Sequence, residues 1–156
     1  MSALPLITHD RPSAVVAWRH GEPISAARFL DDVRALAARL PESTHVLNFC
    51  ADRYRFAVGL GASLTSGKCS ILPSTHTPEV IRHLRAFAPD VFCLSDDAQC
   101  PLALPQLLYI DSAAPNGGAH AHGHLSVPQI DAGRLAAYVF TSGSTGAPVF
   151  SHSRRT

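Results

Sequence analysis

The stretch Ala136-Ala137-Tyr138-Val139-Phe140-Thr141-Ser142-Gly143-Ser144-Thr145-Gly146-Ala147-Pro148 decides how the rest of the chain is read. Its first half, AAYVF, is a short apolar run that reads as a strand. Its second half is a loop of small residues. Gly143 and Gly146 can take left-handed backbone angles, so the chain can approach a ligand closely there. Successive N–H groups in such a loop form an anion-binding concavity. Thr141, Ser142, Ser144 and Thr145 add four hydroxyls, and hydrogen bonds to a charged group are worth about 1.5–3 kcal/mol each. The chemistry suggested is capture of a phosphate chain. A Walker A loop is excluded, because no Lys follows Gly146. The dinucleotide fingerprint is excluded too: Gly59-Leu60-Gly61 lacks its third Gly and falls within an expected helix. No GxSxG nucleophile elbow is present.

Upstream of this stretch, strand and helix signals alternate. Ser13–Trp18 reads as a strand, and Gly21-Glu22-Pro23-Ile24 returns as its hairpin partner. Ser25 caps a helix expected to reach about Leu40, with Phe29, Val33, Leu36 and Leu40 on one face. His45–Cys50 is a buried strand. Asp52 caps a helix from Arg53 to about Ser66, with Gly67 just past its end. Cys69–Leu72 is a strand, and Thr77-Pro78-Glu79 opens a helix that stops at Pro89. Val91–Leu94 and Leu107–Ile110 are further strands. Between about 113 and 129 the chain is rich in Pro, Gly and His and reads as an exposed, flexible loop. This order predicts an α/β fold: a mainly parallel sheet, buried on both sides, with helices on both faces.

Composition narrows the function. The chain has 156 residues, room for about one domain. Lys plus Arg is 13 and Asp plus Glu is 12, so there is no basic excess to bind nucleic acid. No apolar run reaches the ~18 residues of a membrane span, and the first residues lack a secretory pattern. The expectation is a soluble, cytoplasmic protein. The four cysteines, Cys50, Cys69, Cys93 and Cys100, form no CxxC pair and read as buried reduced thiols. Charged residues make up only 16%, against a typical ~25%. That deficit suggests either a face covered by something else or a part of a longer chain.

Residues 140–148, FTSGSTGAP, resemble the phosphate-binding signature [YF]TSG[ST]TGxPKG of adenylate-forming enzymes, the group of acyl-CoA synthetases, luciferases and peptide-synthetase adenylation domains. They match without a gap and follow a strand, as in that family. The hairpin and first helix, Leu64-Thr65-Ser66-Gly67 with Ser70-Ile71-Leu72-Pro73, and the unit Pro78–Leu94 are similar to early family segments. The resemblance implies that residues 1–156 are a partial N-terminal adenylation (AMP-binding) domain, an incomplete part of the family's large domain, with 149–156 as a tail. It implies a ligase that joins a carboxylic acid to AMP from ATP with Mg²⁺. The acyl group then passes to the thiol of CoA or a carrier protein. Thr141, Ser142, Gly143, Ser144, Thr145 and Gly146 would form the phosphate cradle, and Pro148 would shape its exit.

Two departures stand out. The family's Lys-Gly after Pro is Val149-Phe150 here, with Arg154 or Arg155 as a stand-in or merely a basic tail. The family's adenine pocket, Mg²⁺-binding acid and catalytic Lys come later than residue 156. No catalytic residue and no metal ligand is therefore assigned, and the chain alone is expected to be inactive. The alternative is a non-catalytic α/β module that binds a nucleotide or phosphate, or a partner-dependent fragment. A complementary chain or self-association is expected to cover a bare edge. Among lesser candidates, His120, His122 and His124 read as loop filler rather than metal ligands. Asp96-Asp97 read as solvated caps, and Asp31-Asp32 as part of a wet helix face. Arg53, Tyr54 and Arg55 are set aside as a nucleic-acid patch on overall charge.

Overall fold

In the computed structural model, residues 2–111, 124–142 and 148–151 are described. Strands β1 (Ala3–Pro5), β2 (Val15–Arg19) and β3 (Glu22–Ser25) lead into helix α1 (Ala26–Ala37). Then come β4 (His45–Asn48), α2 (Arg53–Thr65), β5 (Cys69–Pro73), α3 (Pro78–Phe87), β6 (Phe92–Ser95) and β7 (Gln106–Leu108). Strands β8 (Gln129–Asp131), β9 (Ala137–Ser142) and β10 (Pro148–Ser151) complete the described elements.

The central sheet has the order β10-β9-β5-β4-β6-β7. Strands β9, β5, β4, β6 and β7 run parallel, and β10 joins β9 antiparallel. Side-chain alternation divides the core in two. Val46, Phe92 and Leu94 pack with Val33, Leu36, Val58 and Ala62 of α1 and α2. Their neighbours Leu47, Cys93 and Ile71 point the other way and pack with Ile81 and Leu84 of α3. Helices therefore cover both faces, as the alternating pattern requires.

Local chemistry sets the element ends. Ser25, Asp52 and Thr77 have extended backbones, and their side chains accept from the N–H of Arg28, Arg55 and Val80. His20 and Gly21 both have positive φ, 53° and 83°, the turn geometry that matches the twist of a two-residue hairpin. Gly67 ends α2 at φ 71°. Gly59 and Gly61 lie within α2, as expected. A Cβ at Gly59 would meet Asn48 Nδ2 at 2.6 Å and Leu94 Cδ2 at 2.7 Å. The missing side chain lets α2 lie directly on β4 and β6.

Several expectations need correction. Helix α1 ends at Ala37, three residues before Leu40. There the N–H of Arg39 and Leu40 bond back to Leu36 and Ala37, the tighter i→i−3 pattern. Strands β1 and β8 pair with each other far apart in sequence and were not foreseen. Residues 149–151, expected in a tail, instead continue β10 from Pro148. Residues 112–123 of the expected loop lie outside the described residues, but its end is packed: Leu125 is buried against Ala26 and Leu30. No helix among the described residues is long and apolar enough to cross a membrane.

Asp32 does not lie on a wet face. Its carboxylate is buried, accepts from the Tyr54 hydroxyl at 2.7 Å and pairs with Arg28 at 3.0 Å. Burial, and then this bond, push the Tyr54 hydroxyl well above the ordinary phenol range. Asp31 does fit the wet-face reading, as a half-exposed partner of Arg34.

Candidate functional site

The candidate site is the junction between β9 and β10. Strand β9 is parallel to β5, with Ile71 opposite Tyr138 and Pro73 opposite Phe140. Its C-terminal end thus lies on the same edge of the sheet as the C-terminal ends of β5, β4, β6 and β7. Open α/β sheets bind ligands at that edge. Phe140 anchors the strand: it is buried in the α3-side core, with its ring 5.5 Å from Phe87. One residue on, Thr141 alternates to the opposite face and is exposed. Val139, on the same face as Thr141, is 40% exposed, so the sheet surface leading to the junction is open.

Strand β9 continues through Thr141 and Ser142. These two of the six expected cradle residues therefore lie in a strand rather than in a free loop. Ser142 stands opposite Pro148, and Thr141 opposite Val149. Gly143, Ser144, Thr145 and Gly146 lie outside the described residues, as do Arg154 and Arg155. The described ends still constrain the junction, because only residues 143–147 join Ser142 to its opposite partner Pro148. Val149, at the position of the family's Lys, lies within the β10 pairing.

Along the same edge, the connection from β5 to α3 carries His76. Its ring meets Phe49 edge-on at 4.8 Å, and burial lowers its affinity for a proton.

The strand order reverses between β4 and β6, the usual place for a ligand in a doubly wound sheet. Here the chain fills it with its own carboxylate. Asp96, just past β6, accepts from the N–H of Ala51 and Asp52 at 2.9 and 3.0 Å, at the start of α2. Its side chain is 7% exposed and lies 3.7 Å from Arg55. Asp96 is thus a buried clasp, where the sequence suggested a solvated cap. It belongs to a charge network. Arg55 pairs with Asp111 at 2.7 Å, and Arg19 reaches both Asp52 at 3.2 Å and Asp111 at 3.3 Å. Burial works against the charge on Asp96 and Asp52, but N–H donors and the guanidinium groups hold both below the usual carboxylate range. Hydrogen bonding from Arg55 does the same for Asp111. Tyr54 and Tyr109 lie under Arg19 and Arg55, so Tyr54 and Arg55 of the Arg-Tyr-Arg run are taken up by the fold while Arg53 stays exposed.

This network was not anticipated, because its partners are up to 92 residues apart. The available signal was the acid pair directly after the apolar run FCLS. Among the described residues, no group of His, Cys, Asp and Glu could hold a metal ion. His120 and His122 lie outside the described residues.

No family model matches the sequence, and no curated protein sequence matches it. Solved structures do. The N-terminal subdomain of Klebsiella oxytoca NpsA, in complex with 3-hydroxybenzoyl-AMSN, matches 89% of this chain at 20% identity, with a TM-score of 0.62. The o-succinylbenzoate CoA synthetase MenE of Bacillus subtilis, bound with a product analogue, matches 91% at 14% identity, with a TM-score of 0.64. The same synthetase in complex with ATP and magnesium ion matches 90% at 12% identity, with a TM-score of 0.60. This chain has the fold of the N-terminal subdomain of adenylate-forming enzymes. It spans 36%, 31% and 39% of those three chains.

Proposed function

We propose that this chain is the phosphate-holding part of an acyl-adenylate-forming ligase of the acyl-CoA synthetase type. The observation that supports the reading is the register of β9, which runs parallel to β5 and ends with Thr141 and Ser142 at the C-terminal edge of the sheet. In this reading Thr141, Ser142, Gly143, Ser144, Thr145 and Gly146 hold the β- and γ-phosphates of ATP. The donor set suits a phosphate chain, since hydroxyls and glycine N–H groups offer hydrogen bonds to phosphate oxygens. Fixed donors of this kind favour the charge that collects on departing pyrophosphate. Mg²⁺, when bound, neutralises phosphate charge.

The substrate is a carboxylic acid, and the acyl acceptor is the thiol of CoA or of a carrier protein. NpsA has been solved in an artificially fused adenylation–PCP di-domain with ThdA, and MenE with a CoA-product analogue. Acceptors of both kinds therefore go with this fold. We assign no catalytic residue to the chain and place the protein in the cytoplasm.

One observation favours a second reading, a non-catalytic phosphate-binding module. Val149 pairs with Thr141 where the family pattern has a Lys, which removes the loop cation. Saturation-transfer NMR with Mg·ATP tests the shared part of both readings. Near-millimolar binding, about −4 kcal/mol, is expected, and Ser144→Ala with Thr145→Ala should abolish it. Absence of binding, or binding indifferent to the double substitution, overturns the proposal.

A further inference from the structure

Two of the four cysteines stand face to face. Cys93 lies in the middle of β6 and is fully buried. Cys100 lies in the connection from β6 to β7 and is half-buried. Their sulfur atoms are 3.7 Å apart. A disulfide needs about 2.05 Å, so the sulfurs must close by roughly 1.6 Å. Cys50 and Cys69 face carbonyl oxygens instead, those of Leu94 and Ser70, each at 3.9 Å.

The connection is built to keep Cys100 in place. Its N–H donates to Asp97 O at 3.2 Å, and Asp97 N–H donates to the Ser95 hydroxyl at 3.0 Å. The Gln106 amide then donates to the carbonyls of both Cys100 and Leu102 at 3.0 Å. Cys93 N–H is held by Pro105 O at 2.8 Å. Both cysteine backbones are therefore fixed from each side, while the sulfurs are joined only by a weak thiol hydrogen bond.

We propose that Cys93 and Cys100 are an oxidation site, a thiol pair that a peroxide converts into an intrachain disulfide. The half-buried Cys100 sulfur meets the peroxide first. It attacks one oxygen, the O–O bond breaks, water leaves, and Cys100 becomes a sulfenic acid. The Cys93 sulfur then attacks the Cys100 sulfur. The S–S bond forms, the S–O bond breaks, and the leaving hydroxide takes the Cys93 proton as a second water. Two thiols and one hydrogen peroxide thus give one disulfide and two waters. Burial, and then the neighbouring Cys100, push the Cys93 thiol far up. The closing step is therefore slow at neutral pH and speeds up as the solution becomes more alkaline. The bond fastens the segment that follows Cys100, where Pro101, Leu102 and Ala103 line a cavity shared with Arg82 and Arg85 of α3. Oxidation thereby fixes one wall of that cavity.

The test treats the folded 156-residue chain with hydrogen peroxide, then denatures it, alkylates the free thiols and maps them by mass spectrometry. The expected product is 2 Da lighter, has two alkylated thiols at Cys50 and Cys69, and has one bridge between Cys93 and Cys100 that dithiothreitol reverses. Cys100→Ser should abolish the bridge without creating another. Four free thiols, a bridge joining any other pair, or oxygen added to Cys100 while Cys93 stays alkylatable would each overturn the proposal.

Discussion

Replacing Gly59 by Ala tests how closely α2 must lie on the sheet. The new methyl group would stand 2.6 Å from Asn48 Nδ2 and 2.7 Å from Leu94 Cδ2, so something must move. Leu94 is fully buried, and Asn48 is anchored at both ends of its amide. Its Nδ2 donates to Phe56 O at 2.9 Å, and its Oδ1 accepts from Cys50 N–H at 3.3 Å. Overpacking of this kind costs about 1–3 kcal/mol. Loss of one of the Asn48 hydrogen bonds adds about 1 kcal/mol. Better helix propensity offsets about 1 kcal/mol. The net expectation is a loss of about 2 kcal/mol, or a Tm lower by roughly 4–8 °C for a chain of this size. Gly61→Ala is the control on the same helix. Its nearest neighbour is Val33 Cγ2 at 3.0 Å, with Leu6 Cδ2 at 3.5 Å. Its strain and propensity terms nearly cancel, to within about 1 kcal/mol. Urea unfolding followed by circular dichroism measures both. A Gly59→Ala protein as stable as the parent, or less affected than Gly61→Ala, would rule out the close approach of α2 to β4 and β6.

Further outcomes follow from the polar interior and the proposed chemistry. Asp32→Ala should cost about 3 kcal/mol in urea unfolding, because it removes the buried acceptor of the Tyr54 hydroxyl and the carboxylate that pairs with Arg28; Tyr54→Phe should cost less. Asp90 accepts from Thr44 and lies 2.7 Å from His45 Nδ1; although burial opposes its charge, these bonds hold it far below the usual carboxylate range. A carboxylate depressed in the folded state stabilises the protein above its unfolded pKa of about 3.9 and loses that contribution as pH falls toward its folded value. Thermal stability should therefore drop below about pH 4, and Asp90→Asn should be less stable at pH 7 and show a shallower acid limb. The isolated chain should give no carboxylate-dependent ATP–pyrophosphate exchange, and a clear exchange signal from pure protein would show that a complete active site is present.

Local chemistry made most of the scaffold legible. The caps Ser25, Asp52 and Thr77, the Pro at the start of α3 and Gly67 after α2 act within a few residues of themselves, so their meaning is written next to them. Apolar strands without alternation pointed to a sheet covered on both faces, and clusters on either side of Val46 and Leu47 agree. Long-range partners stayed hidden. Strand β1 is three residues long and finds β8 across more than a hundred residues, with no periodic pattern at either end. Asp32 sits beside the half-exposed Asp31 and differs from it because Tyr54 arrives from α2 to meet its carboxylate. Asp96 is a clasp only because the start of α2 lies beside it in space. At the candidate site, the strand before the loop was legible, but its continuation through Thr141 and Ser142 depends on β10, a partner that begins with Pro148 and offers no strand signal of its own.

The proposed function requires phosphate to be held at the end of β9 and not at the crevice between β4 and β6, where Asp96 already occupies the start of α2. Backbone amide chemical shifts recorded during a Mg·ATP titration decide between the two places. Saturable shifts are expected at residues 141–146 and at the neighbouring end of β5, with Ala51, Asp52 and Asp96 unmoved. Shifts centred on Ala51, Asp52 and Asp96, with residues 141–146 silent, would contradict the proposed site.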